Sequence, residues 1–417
     1  MRKLSIFILS IYCFAATSQT IDRTQILNEN IKTLQVKVNE NPISLPIITL
    51  NGDETLQISF DEMSHEAHSF FYNVKHCNAD WTLSKLSSTE YIDGFTNARI
   101  DTYSLSVNTT FLYTHYLFQL PNQEMKFKIS GNYVVNIYED NEQDNPIAQI
   151  CFSVVEPKVE IDATIRGNTD TELSGSLQQL DFNVVLRDYQ VNDAQSEIKV
   201  LIRQNNRTDN QVTDINPTYL SQEKLSYTNN KKLIFEGGNE YHRFDISSIY
   251  NFDQGVRAVD FVRPAYHAYL KEDHIADKDP YQANPDVNGK FIINLQNASD
   301  DNTEADYMYV HFYLPVKIPF MDGKIYVGGE WNYNLTDKTA LMRYEPEHQM
   351  YYNTVLLKQG GYNYQYWYIP SGSTKANVKT VDGSFWQTNN EYSIYVYHRP
   401  WGGRYDKLVG MKILKNE

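Results

Sequence analysis

Apolar and polar residues alternate in short runs along this chain and rarely recur at helical spacing. Ile31 to Val38, Leu56 to Phe60, Phe70 to Cys77, Tyr113 to Leu120, Tyr133 to Tyr138 and Ile147 to Val155 each read as a strand between polar turns. Pro157 breaks the pattern. Strands resume at Val159 to Ile165, Leu180 to Arg187, Ile198 to Gln204, Lys232 to Phe235 and Val256 to Phe261. A polar stretch follows from Lys271 to Lys290, in which Asn288-Gly289 predicts a tight hairpin between Tyr281 and a strand at Phe291 to Leu295. Asn297 to Glu304 reads as a second linker.

These breaks predict an all-β chain of three consecutive immunoglobulin-like β-sandwich domains, at residues 19–156, 157–300 and 301–417, behind a leader at 1–18. Ser130-Gly131-Asn132-Tyr133 ahead of an apolar strand resembles the tyrosine corner of such sandwiches, which gives Tyr133 a structural role. The last domain is the most aromatic. From Tyr362 onward, Tyr362, Tyr364, Tyr366 and Tyr368 share one strand face while Asn363, Gln365 and Trp367 share the other. The order of strand, Gly-Gly-Glu-Trp-Asn turn and aromatic strand resembles the glycogen- and starch-binding immunoglobulin-like modules. That resemblance makes Trp331, Tyr333 and Trp367 candidates for stacking on a glycan or for anchoring a protein interface.

Composition narrows the compartment more than the chemistry. Arg2 and Lys3 precede an apolar run from Leu4 to Ala16, and Ala16 and Ser18 stand before Gln19, so a secretory signal peptide cut there is expected. Tyr12 before Cys13 does not suit a lipoprotein site. Beyond residue 18 no apolar run approaches the roughly 20 residues of a spanning helix, so a soluble exported chain with no direct membrane span is expected. The net charge of −15 becomes two units more negative without Arg2 and Lys3, and an acidic surface excludes nucleic acid as a natural partner. Cys77 and Cys151 remain in the mature chain, and the sequence leaves open whether they pair.

No Gly-x-Ser-x-Gly elbow, His-Glu-x-x-His helix or phosphate loop is present. His65-Glu66-Ala67-His68 has neither the spacing of a metal-binding helix nor that of one strand face, and it reads as a loop. Asn284, Asp286 and Asn288 have calcium-loop spacing, but Leu295 stands where a bidentate Glu is required. No carboxylate pair stands out. The expectation is a non-enzyme without cofactor or metal.

Two sets of motifs resemble one family, the type IX secretion system plug proteins. The first is Tyr72, then His76-Cys77-Asn78-Ala79-Asp80-Trp81, then Glu90-Tyr91-Ile92-Asp93-Gly94. The second runs in order through Gln204-Asn205, Phe235-Glu236-Gly237-Gly238-Asn239-Glu240-Tyr241, Asp286-Val287-Asn288-Gly289, Glu304-Ala305-Asp306-Tyr307, Leu357-Lys358-Gln359-Gly360, Tyr362 to Tyr366 and Tyr405 to Gly410. Tyr241 departs from the pattern, which often has Arg there. The resemblance implies a periplasmic protein held at the inner side of the outer membrane by a partner, the translocon barrel of this secretion system, which it would seal when no cargo is present. For the motif itself, a structural reading is expected: Asn78 and Asp80 cap a tight turn, Trp81 packs in the core, and His76, Cys77 and Gly94 complete the frame. A periplasmic glycan-binding protein is the second reading.

Overall fold

The computed structural model describes residues 23–416 except positions 141, 174, 253 and 333–335; the expected leader at 1–18 lies outside the described residues. Strands dominate and the helical pieces are single turns, as the alternating pattern predicts.

Residues 23–156 form the first sandwich. One sheet runs Gln25–Ile26, Ala148–Val155, Gly131–Glu139, Phe70–Cys77, Asn97–Arg99, with Ile47–Thr49 lying parallel to Ala148–Val155. The facing sheet runs Ile31–Val38, Leu56–Glu62, Thr114–Leu120, Thr102–Leu105. Phe60, Tyr72, Tyr116, Ile137 and Phe152 fill the space between them. Gly131–Glu139, apart from Glu139, and Ala148–Val155 are buried on both faces, and the polar side chains among them satisfy one another, Gln149 donating to Asn136 and Ser153 to Asn132. Their outer face carries Val134, Cys151 and Cys77 against Trp81, next to a cluster in which Ala79 and Val155 meet Leu201, Tyr395, Tyr397 and Leu408.

Cys77 and Cys151 are both buried. They lie on strands flanking the central Gly131–Glu139, so about two strand spacings, roughly 10 Å, separate them, and a disulfide cannot span that gap. Burial pushes the Cys77 thiol up to about 12, which leaves it a small apolar side chain at neutral pH.

The expected division at 157–300 and 301–417 does not hold. The second sandwich takes one sheet from Glu160–Arg166, Leu177–Val185, Tyr219–Leu220, Lys224–Tyr227 and Ile234–Glu236. Its other sheet is Ile198–Gln204, Glu391–His398 and Lys407–Lys415, which means that the end of the chain returns to complete it. Phe182, Ile202 and Leu225 share one core with Tyr392, Ile394 and Val409. The third sandwich is therefore inserted into the second. Its sheets are His242–Asp245, Gly360–Pro370, Phe291–Ile293 with Gly323–Gly328, and Val256–Val262, Ala265–Leu270, Tyr307–Pro315, Met350–Lys358, Arg343–Glu345. Asn297 to Glu304, expected as a linker, lies within this unit, and Asp301–Glu304 forms one helical turn capped by Asp300.

Turn chemistry follows the sequence closely. Tyr133 Oη donates to the Ile129 carbonyl at 2.7 Å, and Tyr362 Oη makes the same four-residue return to the Lys358 carbonyl at 2.5 Å. Asn288 and Gly289 both have positive φ, as a tight turn needs, but the segment from Tyr281 to Val287 is not a strand, so the expected hairpin does not form.

Candidate functional site

Built up from individual residues, the functional architecture consists of the joints between the sandwiches. In the first motif Trp81 N and Asn78 O close a tight turn at 2.9 Å. Asp80 Oδ1 accepts from Thr82 N at 3.1 Å and Thr82 Oγ1 at 2.6 Å. Trp81 adopts φ of +62° and packs with Cys77 and Val134. The turn thereby presents Ala79 N to Asp406 Oδ2, 2.9 Å away across 327 residues of sequence. Asp406 is fully buried and also receives Arg399 Nε at 2.8 Å and Lys199 Nζ at 3.3 Å. Arg399 Nη2 reaches Asn78 Oδ1 at 2.6 Å, and Tyr397 Oη donates to Asn132 Oδ1 at 2.9 Å.

The motif at 76–81 and the motif at 405–410 are thus two halves of one joint. His76 lies beneath it, 2% exposed, edge-on to Tyr133 and Tyr405. Burial drives its imidazole down to about 4, so it is neutral at neutral pH. Gly94 has φ of +103°, and a side chain there would collide with the Glu124 carbonyl, so its role is geometric.

The first and inserted sandwiches meet through a buried ion pair that sequence reasoning did not single out. Lys358 Nζ lies 2.6 Å from Asp61 Oδ2, and Tyr307 Oη donates to the same oxygen at 2.7 Å. His115 Nδ1 bonds Asp61 Oδ1 at 2.6 Å. Burial opposes ionisation of Asp61, but Lys358 and His115 outweigh it and hold the carboxyl below its usual range. Nearby, Tyr113 Oη donates to the Ala305 carbonyl at 2.7 Å, while Asp306 accepts Thr110 N and Phe111 N. Lys358 and Asp306 belong to quoted motifs. Asp61 stands beside Glu62 at the end of an ordinary strand, and nothing in that local pattern marked it.

The crossing into the inserted sandwich is equally close. Gly237 lies too near the Phe385 carbonyl to carry a side chain. Glu240 Oε1 accepts Tyr281 Oη at 2.5 Å and Asn389 N at 3.1 Å, so the outgoing and returning strands are tied together. Asp286 accepts Tyr241 N and Asn288 N, which commits the carboxylate of the calcium-like spacing to backbone donors. His65 bonds the Ser106 carbonyl, and His68 Nδ1 lies 2.6 Å from Glu62. Deeper in the inserted sandwich His242 sits between Asp273 at 3.3 Å and Asp382 at 3.0 Å. Burial disfavours its charge, yet the two carboxylates prevail and raise its pKa well above the usual value.

The expected aromatic platform is not on the surface. Trp331 is 9% exposed, stacks on Phe312 and donates Nε1 to the Asn363 carbonyl at 3.1 Å. Trp367 is 3% exposed and packs with Tyr326 and Ile369 in a separate cluster, so the two indoles do not form one face. Tyr333 lies outside the described residues. A stacking role for Trp331 and Trp367 does not hold, because the strand that carries the tyrosine row has both faces covered. Where the three sandwiches meet, they leave a cavity of about 680 Å³, walled by Lys37 and Trp81 of the first, Arg203 and Arg207 of the second, and Glu330 and Trp367 of the third.

Residues 31–156, the first sandwich, match the family described as type 9 secretion system plug protein 1st domain. A crystal structure of a hypothetical protein from Parabacteroides merdae ATCC 43184 is 43% identical with a TM-score of 0.92, covering 94% of this chain and 99% of that one. No curated protein matches. Among the described residues, no helix is long and apolar enough to cross a membrane.

Proposed function

This chain belongs to the type 9 secretion system plug protein family, and we propose that it acts by occlusion rather than catalysis, as a periplasmic plug on the periplasmic end of the outer-membrane translocon channel, closing it when no cargo is present. The family match over the first sandwich carries this reading. The joints support it physically: a stopper must hold its shape against a wide pore, and here each pair of sandwiches is tied by buried or backbone-directed polar contacts, Lys290 to Glu391 joining the inserted sandwich to the second, rather than by a free linker. A partner that must release needs an interface of moderate size with a polar rim, and an acidic exterior with scattered exposed rings such as Trp401 and Tyr250 fits that need. The glycan-binding reading loses its stacking surface with the burial of Trp331 and Trp367.

The test is purification of the tagged translocon from cells depleted of cargo, with identification of what accompanies it. The plug reading expects this protein in that complex, and a deletion strain that admits large antibiotics while still secreting. Absence from the complex together with unchanged permeability overturns it.

A further inference from the structure

The second sheet of the first sandwich ends at Thr102–Leu105, a strand exposed at all four positions. Ser106 N bonds the Tyr113 carbonyl at 2.9 Å, so by antiparallel alternation Ser104 and Thr102 turn their backbone groups toward Thr114–Leu120, while Tyr103 and Leu105 turn theirs away from the sheet. Val107 N comes next in that outward row, and the Thr303 carbonyl of the inserted sandwich takes it at 2.9 Å. The row thus serves one joint at Val107 and continues from there into solvent.

Such edges are ordinarily blunted, because unpaired ladder groups recruit other strands. Ile31–Val38, at the opposite end of the same sheet, carries Lys32, Lys37 and a bulge between Lys32 and Gln35. Val256–Val262 carries Arg257, Asp260 and a bulge, and Arg343–Glu345 has a charge at each end. Thr102–Leu105 has no charge and no proline, and it pairs in unbroken register. Arg99 and Asp101, which precede it, pair with each other at 3.4 Å. Its side chains add an apolar strip. Tyr103 meets Tyr116 ring to ring at 5.9 Å, which places Tyr103 and Leu105 on the core-facing side of the sheet. With Val107 and Leu112 at the hairpin end, four large apolar side chains stand 40% to 53% exposed.

Backbone donors and acceptors at strand spacing are met by another extended backbone; a lipid tail brings no hydrogen bonds, and sugar hydroxyls do not repeat at that spacing. We propose that Thr102–Leu105 binds an extended segment of a partner protein as an added strand, with an apolar side chain at every second residue of that segment packing on Tyr103 and Leu105. Main-chain bonds supply the attachment, and the apolar strip sets the register. This binding does not rest on the plug reading, and a peptide alone tests it.

The test uses the chain from Gln19 onward and a blocked peptide of four Val-Thr repeats flanked by lysines. Controls are the same residues with the valines grouped, and two versions N-methylated at alternate amides in opposite phases. Calorimetry reports binding, and hydrogen exchange locates it. Saturable binding is expected, with slower exchange of the Tyr103 and Leu105 amides and no change at Ser104, which already faces its neighbouring strand. One methylation phase removes the donors that face the edge and weakens binding at least about tenfold, while the other keeps it within about twofold. Leu105→Lys, at an exposed position, blunts the edge and weakens binding by about tenfold, and Tyr103→Lys does so even if the first variant folds poorly. No saturable binding, equal binding of the grouped peptide or of both methylated phases, unchanged affinity in the lysine variants, or protection at a different edge overturns the assignment. So does self-association of the chain, lost in Leu105→Lys, without peptide binding, which would give the edge to a second copy.

Discussion

Asp61 and Lys358, 297 residues apart in sequence, meet at 2.6 Å with their side chains 0% and 1% exposed, at the centre of the joint between the first and inserted sandwiches. Tyr113 lies under the ammonium, 4.1 Å from ring centroid to Nζ. The pair joins two cores rather than strengthening one, so its loss affects how the sandwiches are held relative to each other.

Lys358→Met leaves the Asp61 carboxylate buried without its cation and is expected to destabilise the chain by about 3–5 kcal/mol. Chemical denaturation followed by tryptophan fluorescence checks this. A change below 1 kcal/mol would mean that the joint tolerates an uncompensated charge.

His76 sets a pH dependence with a definite sign. In the unfolded chain its imidazole takes up a proton near pH 6.5, whereas burial holds the folded value down to about 4. Between those values the unfolded state binds more protons, so this contribution is full above pH 6.5 and is lost as pH falls toward 4, by about 3 kcal/mol over the window. His76→Phe should flatten that part of the curve of unfolding free energy against pH, and an unchanged slope in the variant would remove His76 as its source.

Asp406→Asn removes the charge that receives Ala79 N, Arg399 and Lys199. A cost of about 2–3 kcal/mol is expected, since hydrogen bonds to charged groups contribute roughly 1.5–3 kcal/mol. Faster proteolysis near Glu156 to Lys158, whose amides bond Leu408 and Val409, should accompany it. Global destabilisation without new cleavage there would place the loss elsewhere.

Trp331→Ala is expected to lower stability by about 3–5 kcal/mol, as for other buried aromatic deletions. Trp401, 93% exposed, should tolerate the same change within about 0.5 kcal/mol. Calorimetric melts of the two variants distinguish a core indole from a surface one, and similar Tm values would contradict the burial difference.

The split second sandwich makes a construction test possible. Asn390 Nδ2 lies 2.6 Å from the Gly237 carbonyl, so the two crossings are adjacent. A chain in which residues 239–389 are replaced by a short Gly-Ser linker should keep the second sandwich folded, whereas the piece 157–300 should not fold, because Ile198–Gln204 lacks its partner Glu391–His398. Circular dichroism melts decide; cooperative melting of 157–300 would restore the consecutive division.

Local pattern alone determined the all-β class, most strand positions, the corner at Tyr133 and the turn at Asn288-Gly289, because a strand's two-residue period and a turn's φ requirement are carried by neighbouring residues. The stretches Ile31–Val38, Phe70–Cys77 and Ile198–Gln204 were legible to the residue. The sequence also displayed the motifs at 76–81 and 405–410, yet not that they form one joint. Only the tertiary structure decided that Glu391–His398 returns to Ile198–Gln204, that Asp61 meets Lys358, and that the tyrosine strand is covered on both faces. The reason is physical: loop-closure entropy grows only slowly with chain length, so a strand pays little more to pair with a distant partner than with a near one, and nothing in its own alternation names that partner. Whether an indole faces solvent likewise depends on which sheet arrives above it, and that sheet comes from elsewhere in the chain.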